Sequence, residues 1–157
     1  MTARSHTYAA TVVWTGNTGV GSAGYKTYAR DHDIVMPSKA TIAGSSDPAF
    51  RGDAGRHNPE DLLIASLSAC HMLWYLHLAS AAGVVVTGYR DEAIGVMVED
   101  AIRGGWFESA TLRPTVTLAA GGDAAKATAL HAAAHKKCFI ANSVNFPVTC
   151  EPTIVVG

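Results

Sequence analysis

Apolar and polar positions alternate near both ends of this chain and crowd together in its middle. Tyr8, Ala10, Val12 and Trp14 alternate with Ala9, Thr11 and Val13, which predicts a strand over Tyr8–Trp14. Tyr25–Arg30 and His32–Met36 read as two short strands with Arg30-Asp31 at the bend. From Leu62 the pattern changes. Leu62, Leu63, Ile64, Leu67, Met72, Leu73, Trp74, Leu76 and Leu78 cover nearly every face of a helix, and a helix apolar all round is expected to be central and buried. Asn58 is a good N-cap for it, Pro59 suits the first helical position, and Glu60-Asp61 complement the positive end of its dipole. Gly83 ends it, and Val84-Val85-Val86 begins a strand. Ala93–Val98 and Ser109–Leu118 are further strands, joined through Arg103-Gly104-Gly105. Gly121-Gly122-Asp123 then caps an alanine-rich helix running to about Lys137, and Val148–Val156 closes the chain as a strand. Strands, a helix, strands and a helix predict an α+β domain rather than a parallel βαβ array.

The length of 157 residues fits one domain, read here as 1–157, with a core of its own. Charged residues make up 16%, below the usual quarter or so, which points to apolar surface covered in a subunit interface. A net charge of -1 gives no footprint for nucleic acid or anionic lipid. Met1-Thr2-Ala3-Arg4-Ser5-His6 leads into the first alternation without an apolar run, so no signal peptide is read there. Only the region around Leu62–Val86 approaches the length of a membrane span, and His71 and His77 within it favour a core helix plus a strand. Three cysteines are too few for a secreted disulfide scaffold, which favours the cytoplasm. Gly16–Gly21 precedes no helix and is read as a turn, not a phosphate cradle. The Gly-, Ser-, Asp- and Pro-rich stretch from Pro37 to His57 exceeds the usual connection of about 4–6 residues, and loops of that length are usually functional or ordered by a partner.

Two cysteines have contexts that suggest chemistry. Cys70 lies within the apolar helix and Cys138 where the second helix should end; Cys150, in the last strand, has no such setting. A thiol that attacks peroxide must be a thiolate, which needs a cation or a helix dipole to lower an ordinary pKa of about 8.5. The resulting sulfenic acid must then be captured, and a second thiol captures it as a disulfide that an outside dithiol can reduce. Cys70 is mid-helix, so a separate cation must activate it, and Arg30, Arg51 and Arg56 all lie upstream. Glu60 precedes Cys70 by ten residues, roughly 15 Å along an α-helix and about 80° around it, so the two cannot touch within one straight helix.

Asn58-Pro59-Glu60-Asp61-Leu62-Leu63, followed by Ser68-Ala69-Cys70, resembles the OsmC/Ohr family of osmotically inducible and organic hydroperoxide resistance proteins. Ala134-His135-Lys136-Lys137-Cys138-Phe139-Ile140-Ala141-Asn142-Ser143 is similar to that family's second-cysteine segment. The resemblance implies an interlocked homodimer with long central helices packed between β-sheets, and thiol-dependent reduction of organic hydroperoxides with an external dithiol as reductant. It implies Cys70 as the peroxidatic cysteine, Cys138 as the resolving one, Arg30 as the thiolate-stabilising arginine and Glu60 as its orienting acid. No cofactor or metal, nucleic acid or membrane is expected of that chemistry. His71 departs from the aromatic or apolar residue usual after the first cysteine, and the elaborate 37–57 loop leaves the arginine open among Arg30, Arg51 and Arg56.

Two other readings stand beside the enzyme. One is a non-catalytic, stress-related binding protein on the same fold, with both cysteines buried and inert. The other is a metal-binding protein, because His131, His135 and Cys138 share one helix face, as do Cys70 and His77. No compact zinc motif or Ser-His-Asp arrangement accompanies them, and Trp74, Tyr75 and Met72 are read as core.

Overall fold

Asn58 and Asp61 start the long helix by capping one another. The Asp61 N–H donates to Asn58 Oδ1 at 2.7 Å, and the Asn58 N–H points back to Asp61 Oδ2 at 3.4 Å. The helix, α1, runs over Pro59–Ala81 in the computed structural model, which describes residues 4–157. The reading of Met1–Ala3 lies outside the described residues. At the far end Gly83 adopts φ +71°, and the Val84 and Gly83 N–H groups return to the Ala79 and Ser80 carbonyls. This pair of bonds is a Schellman stop, which needs the left-handed conformation that glycine adopts without strain.

The chain divides into two compact units, one ending at Leu62 and the other spanning Leu63–Gly157. The first holds an antiparallel sheet of β1 (Thr11–Trp14), β2 (His32–Val35) and β3 (Ile42–Gly44). The predicted first strand is therefore shorter, and Tyr25–Arg30 is a set of turns, not a strand. Side chains there satisfy the backbone that a sheet would otherwise pair. Thr18 donates to the Thr27 carbonyl, and the Arg30 guanidinium donates to the carbonyls of Tyr28 and Tyr25 at 2.7 and 2.8 Å. The long loop after β2 supplies β3 and a single 3-10 turn at Pro48–Phe50, capped by Asp47.

The second unit builds two three-stranded sheets from strands that continue into one another. β4 (Val86–Asp91), β7 (Pro114–Leu118) and β9 (Thr153–Val156) form one, in the order β4-β7-β9. β5 (Ile94–Asp100), β6 (Gly104–Leu112) and β8 (Val148–Cys150) form the other. In each, the first pair is antiparallel and the last strand parallel, so the class is α+β. Ser109–Leu118 and Val148–Val156, each read as one strand, are both broken at the corner between the sheets. Asp91 Oδ1 accepts the Arg113 N–H at 2.6 Å there, Glu151 N–H reaches the Leu112 carbonyl at 2.8 Å, and Pro152 has no N–H to continue the ladder. The β5–β6 hairpin turns as expected, with Gly104 at φ +79°.

Helix α2 (Ala124–Lys137) begins at Asp123, whose carboxylate accepts the Lys126 N–H at 2.9 Å. Two apolar clusters result. Tyr75, Ala79, Val116, Leu118, Ala127 and Ala134 form one, and Leu67, Ala110 and Leu112 the other. Helix α1 is fully buried along a single stripe of Leu67, His71, Tyr75 and Ala79, and Leu73 is 63% exposed. The expectation of a helix buried on every side is corrected accordingly: within one chain, only the face that meets these clusters is covered. By length and composition α1 could span a membrane, but its covered stripe packs as a core helix does.

Candidate active site

Cys70 and Cys138 are brought together from α1 and the end of α2. Cys70 is half-buried, Cys138 is 1% exposed, both are free thiols, and Cys70 is near enough to Cys138 to help raise its pKa. Cys138 is held by the helix terminus it caps. Its N–H returns to the His135 carbonyl at 3.2 Å, its carbonyl accepts from Asn142, and the Ala141 N–H approaches its sulfur at 3.4 Å. Burial, opposed by that N–H and reinforced by Cys70, pushes the Cys138 thiol up to about 11, so it is protonated at neutral pH. Trp74, one helical turn past Cys70, stacks edge-on against Phe139 with centroids 5.4 Å apart, and the Lys137 ammonium sits 5.5 Å from its ring.

The three arginines differ in their engagements. Arg30 lies over the rings of Tyr25 and Tyr28, 4.4 and 4.2 Å from their centroids, and has no carboxylate partner among the described residues. Arg56 is surrounded by Asp31, Asp33 and Asp53 at 3.7–3.9 Å. Arg51 occupies the left-handed residue that closes the Pro48–Phe50 turn, at φ 68°. Glu60 is in the first turn of α1, and the helix continues unbroken past Cys70, so within it the two side chains do not meet.

The helix-face metal reading is corrected. The three-ligand cluster among the described residues is a different one: His131, 3% exposed, points into the core, where its Nδ1 lies 3.0 Å from Nε2 of the fully buried His71. Cys150, which looked devoid of context, places its sulfur 3.7 Å from each of those nitrogens. Burial, and then the neighbouring imidazole, lower His131 from 6.5 to about 4. Burial also lowers His71, partly offset by Asp91. The Cys150 thiol is pushed up to about 12 by burial and by the carboxylates of Asp91 and Glu151. Ser68 ties α1 to the corner by donating to Asp91 Oδ2 at 2.6 Å. The sequence reading passed over His71, Cys150 and Asp91 as site residues. The one local signal was a histidine on a stripe that otherwise buries Leu67, Tyr75 and Ala79.

The OsmC-like protein family matches residues 52–153, about two-thirds of the chain, including both Cys70 and Cys138. Among curated proteins none matches. Of solved structures, an OsmC-like protein of unknown function from Vibrio cholerae is similar at 27% identity and a TM-score of 0.84, covering 94% of this chain and 99% of its own. An organic hydroperoxide resistance protein OsmC from Legionella pneumophila is 17% identical with a TM-score of 0.71, covering 98% and 99%. One from Elizabethkingia anophelis is 16% identical with a TM-score of 0.71, covering 99% and 100%.

Proposed function

Because the chain belongs to the OsmC-like family, we propose that it is a cysteine-based peroxidase that reduces organic hydroperoxides in defence against oxidative stress. The observation that carries this reading is the meeting of two free thiols 68 residues apart in sequence, one half-buried and one buried. The Cys70 thiolate attacks the outer peroxide oxygen; an S–O bond forms, the O–O bond breaks, and the alkoxide leaves as alcohol after taking a proton. Cys138 then attacks the Cys70 sulfenic sulfur. The S–S bond forms as the sulfenic hydroxyl departs with the Cys138 proton as water. A protonated Cys138 suits this order, because it does not compete for peroxide and its proton is released to the leaving group. An external dithiol returns both thiols by exchange.

Arg30 is assigned to hold the thiolate and Glu60 to orient it. In support, Arg56 is already shared among three carboxylates, whereas Arg30 has none among the described residues. Residues 1–157 are read as a single cytoplasmic domain that works as a homodimer, with cluster members drawn from both copies. Tyr8, Val12, Val13 and Trp14 in the first unit, and Leu73 in the second, are exposed apolar side chains in one chain, of the kind that a second copy would cover. Light scattering should therefore give twice the chain mass of 16.4 kDa at micromolar concentration; the single-chain mass would refute the dimer.

Intact mass spectrometry after one equivalent of tert-butyl hydroperoxide tests the chemistry. The expected product has lost two hydrogens, mapped to a Cys70–Cys138 bond. In Cys138→Ser it should instead carry one added oxygen on Cys70, trappable by a sulfenic-acid reagent. Unmodified thiols in both proteins would refute the peroxidase and favour the inert binding protein.

A further inference from the structure

His71, His131 and Cys150 have no part in the proposed peroxidase, and they arrive from three different elements, α1, α2 and β8. Their inner atoms form a closed triangle. His71 Nε2 and His131 Nδ1 are 3.0 Å apart, and each is 3.7 Å from Cys150 Sγ. The point equidistant from the three is about 2.0 Å from each, close to the roughly 2.0–2.1 Å of a zinc–imidazole bond and short of a zinc–thiolate bond by a few tenths. The side chains are set in place from outside the triangle: the Tyr75 ring stacks on His131 with centroids 4.0 Å apart, and β8 is clamped to β6 through Val148–Cys150.

An apolar trio would fill this part of the core with fewer polar groups left to satisfy. As it stands, His71 Nδ1 and His131 Nε2 are buried without a hydrogen-bond partner among the described residues, and a buried polar group in that state is a cost to the fold. Both imidazoles are held neutral by burial, the form that binds metal.

We propose that His71, His131 and Cys150 bind one thiophilic transition-metal ion, copper or zinc, per chain. Two imidazoles and a thiolate select borderline-to-soft ions over magnesium or calcium; the trigonal set is that of copper electron-transfer sites, and three protein ligands also serve zinc with one position open. In the metal-free chain the facing nitrogens share one proton, with the rings within 5° of parallel. Metal entry moves that proton to an outer nitrogen, releases the Cys150 thiol proton to solvent, and turns each ring to aim its lone pair at the centre.

The full chain with Cys70 and Cys138 both replaced by serine keeps Cys150 as its only thiol, and so isolates this site from the peroxidase. After chelation and desalting, it should retain one equivalent of zinc, or of copper, when each is supplied alone. Copper(II) should show a visible thiolate-to-copper charge-transfer band, which in this protein can arise only from Cys150. Zinc should leave no band but protect Cys150 from alkylation. Adding His131→Asn should weaken either metal by more than about a hundredfold, beyond the loss of an outer-shell partner. Retention of neither metal by the double-serine protein overturns the site, as does equal retention when Cys150→Ser is added to that same protein. Metal binding by the double-serine chain together with no peroxide turnover by the wild-type chain would sink the peroxidase and leave this proposal standing.

Discussion

Cys70→Ser is expected to lower turnover of tert-butyl hydroperoxide by about a thousandfold or more, because a serine hydroxyl is neither ionised nor nucleophilic under conditions where a cysteine thiolate reacts. The change removes one sulfur from a half-buried position and should leave the fold intact, so circular dichroism and melting temperature serve as the controls. Arg30→Ala should reproduce much of that loss, through a fall in kcat/KM with little change in stability. Arg56→Ala should act differently, since it strips the shared partner from Asp31, Asp33 and Asp53 and lowers stability first. Wild-type turnover by Cys70→Ser would remove the peroxidase from consideration. If the Arg56 variant loses turnover at unchanged stability and the Arg30 variant keeps it, the arginine assignment moves to Arg56.

Acid should destabilise the metal-free protein by about 3 kcal/mol between pH 7 and pH 4 through His131 alone. Above the unfolded pKa of 6.5 both states hold His131 neutral, and it makes no difference to stability. Below 6.5 the unfolded chain takes up the proton and the folded chain does not, so the unfolded state binds more protons and stability falls as pH falls. The loss levels off once the pH drops through about 4, where the folded imidazole also protonates. His71 is shifted in the same direction by its burial and adds to the effect. Urea denaturation of chelator-treated protein at pH 7, 5.5 and 4 measures it, with His131→Gln as the comparison. The variant should show a flatter pH dependence than the parent, and identical slopes would rule out a buried neutral His131.

Much of the fold could be read along the chain wherever the signal is local. Asn58, Pro59 and Gly83 mark the ends of α1 through backbone capping that reaches only a few residues, and Asp123 does the same for α2. The breaks at Arg113 and Glu151 were hidden by apolar alternation that continues through them, although Pro152 is itself a local sign that a ladder cannot run on. Only the pairing of three strands around one corner, with Asp91 and Leu112 as partners, makes them ends. Tyr25–Arg30 misled for a related reason. Its aromatic and β-branched residues suit a strand, but Thr18 and Arg30 satisfy its carbonyls without one.

By itself, the sequence determined the α+β class, both helices with their caps, and two cysteine segments whose joint resemblance named a family. It also determined, by helical rise alone, that Glu60 and Cys70 cannot meet within α1. Tertiary structure decided which side chains share a volume. It set Cys138 beside Cys70 and His131 against His71. It also brought Cys150 to both histidines across 79 and 19 residues of chain. Capping and helical period are short-range consequences of the backbone and can be read locally. Contacts between α1, α2 and β8 exist only once the two apolar clusters have packed, and no short-range pattern encodes them.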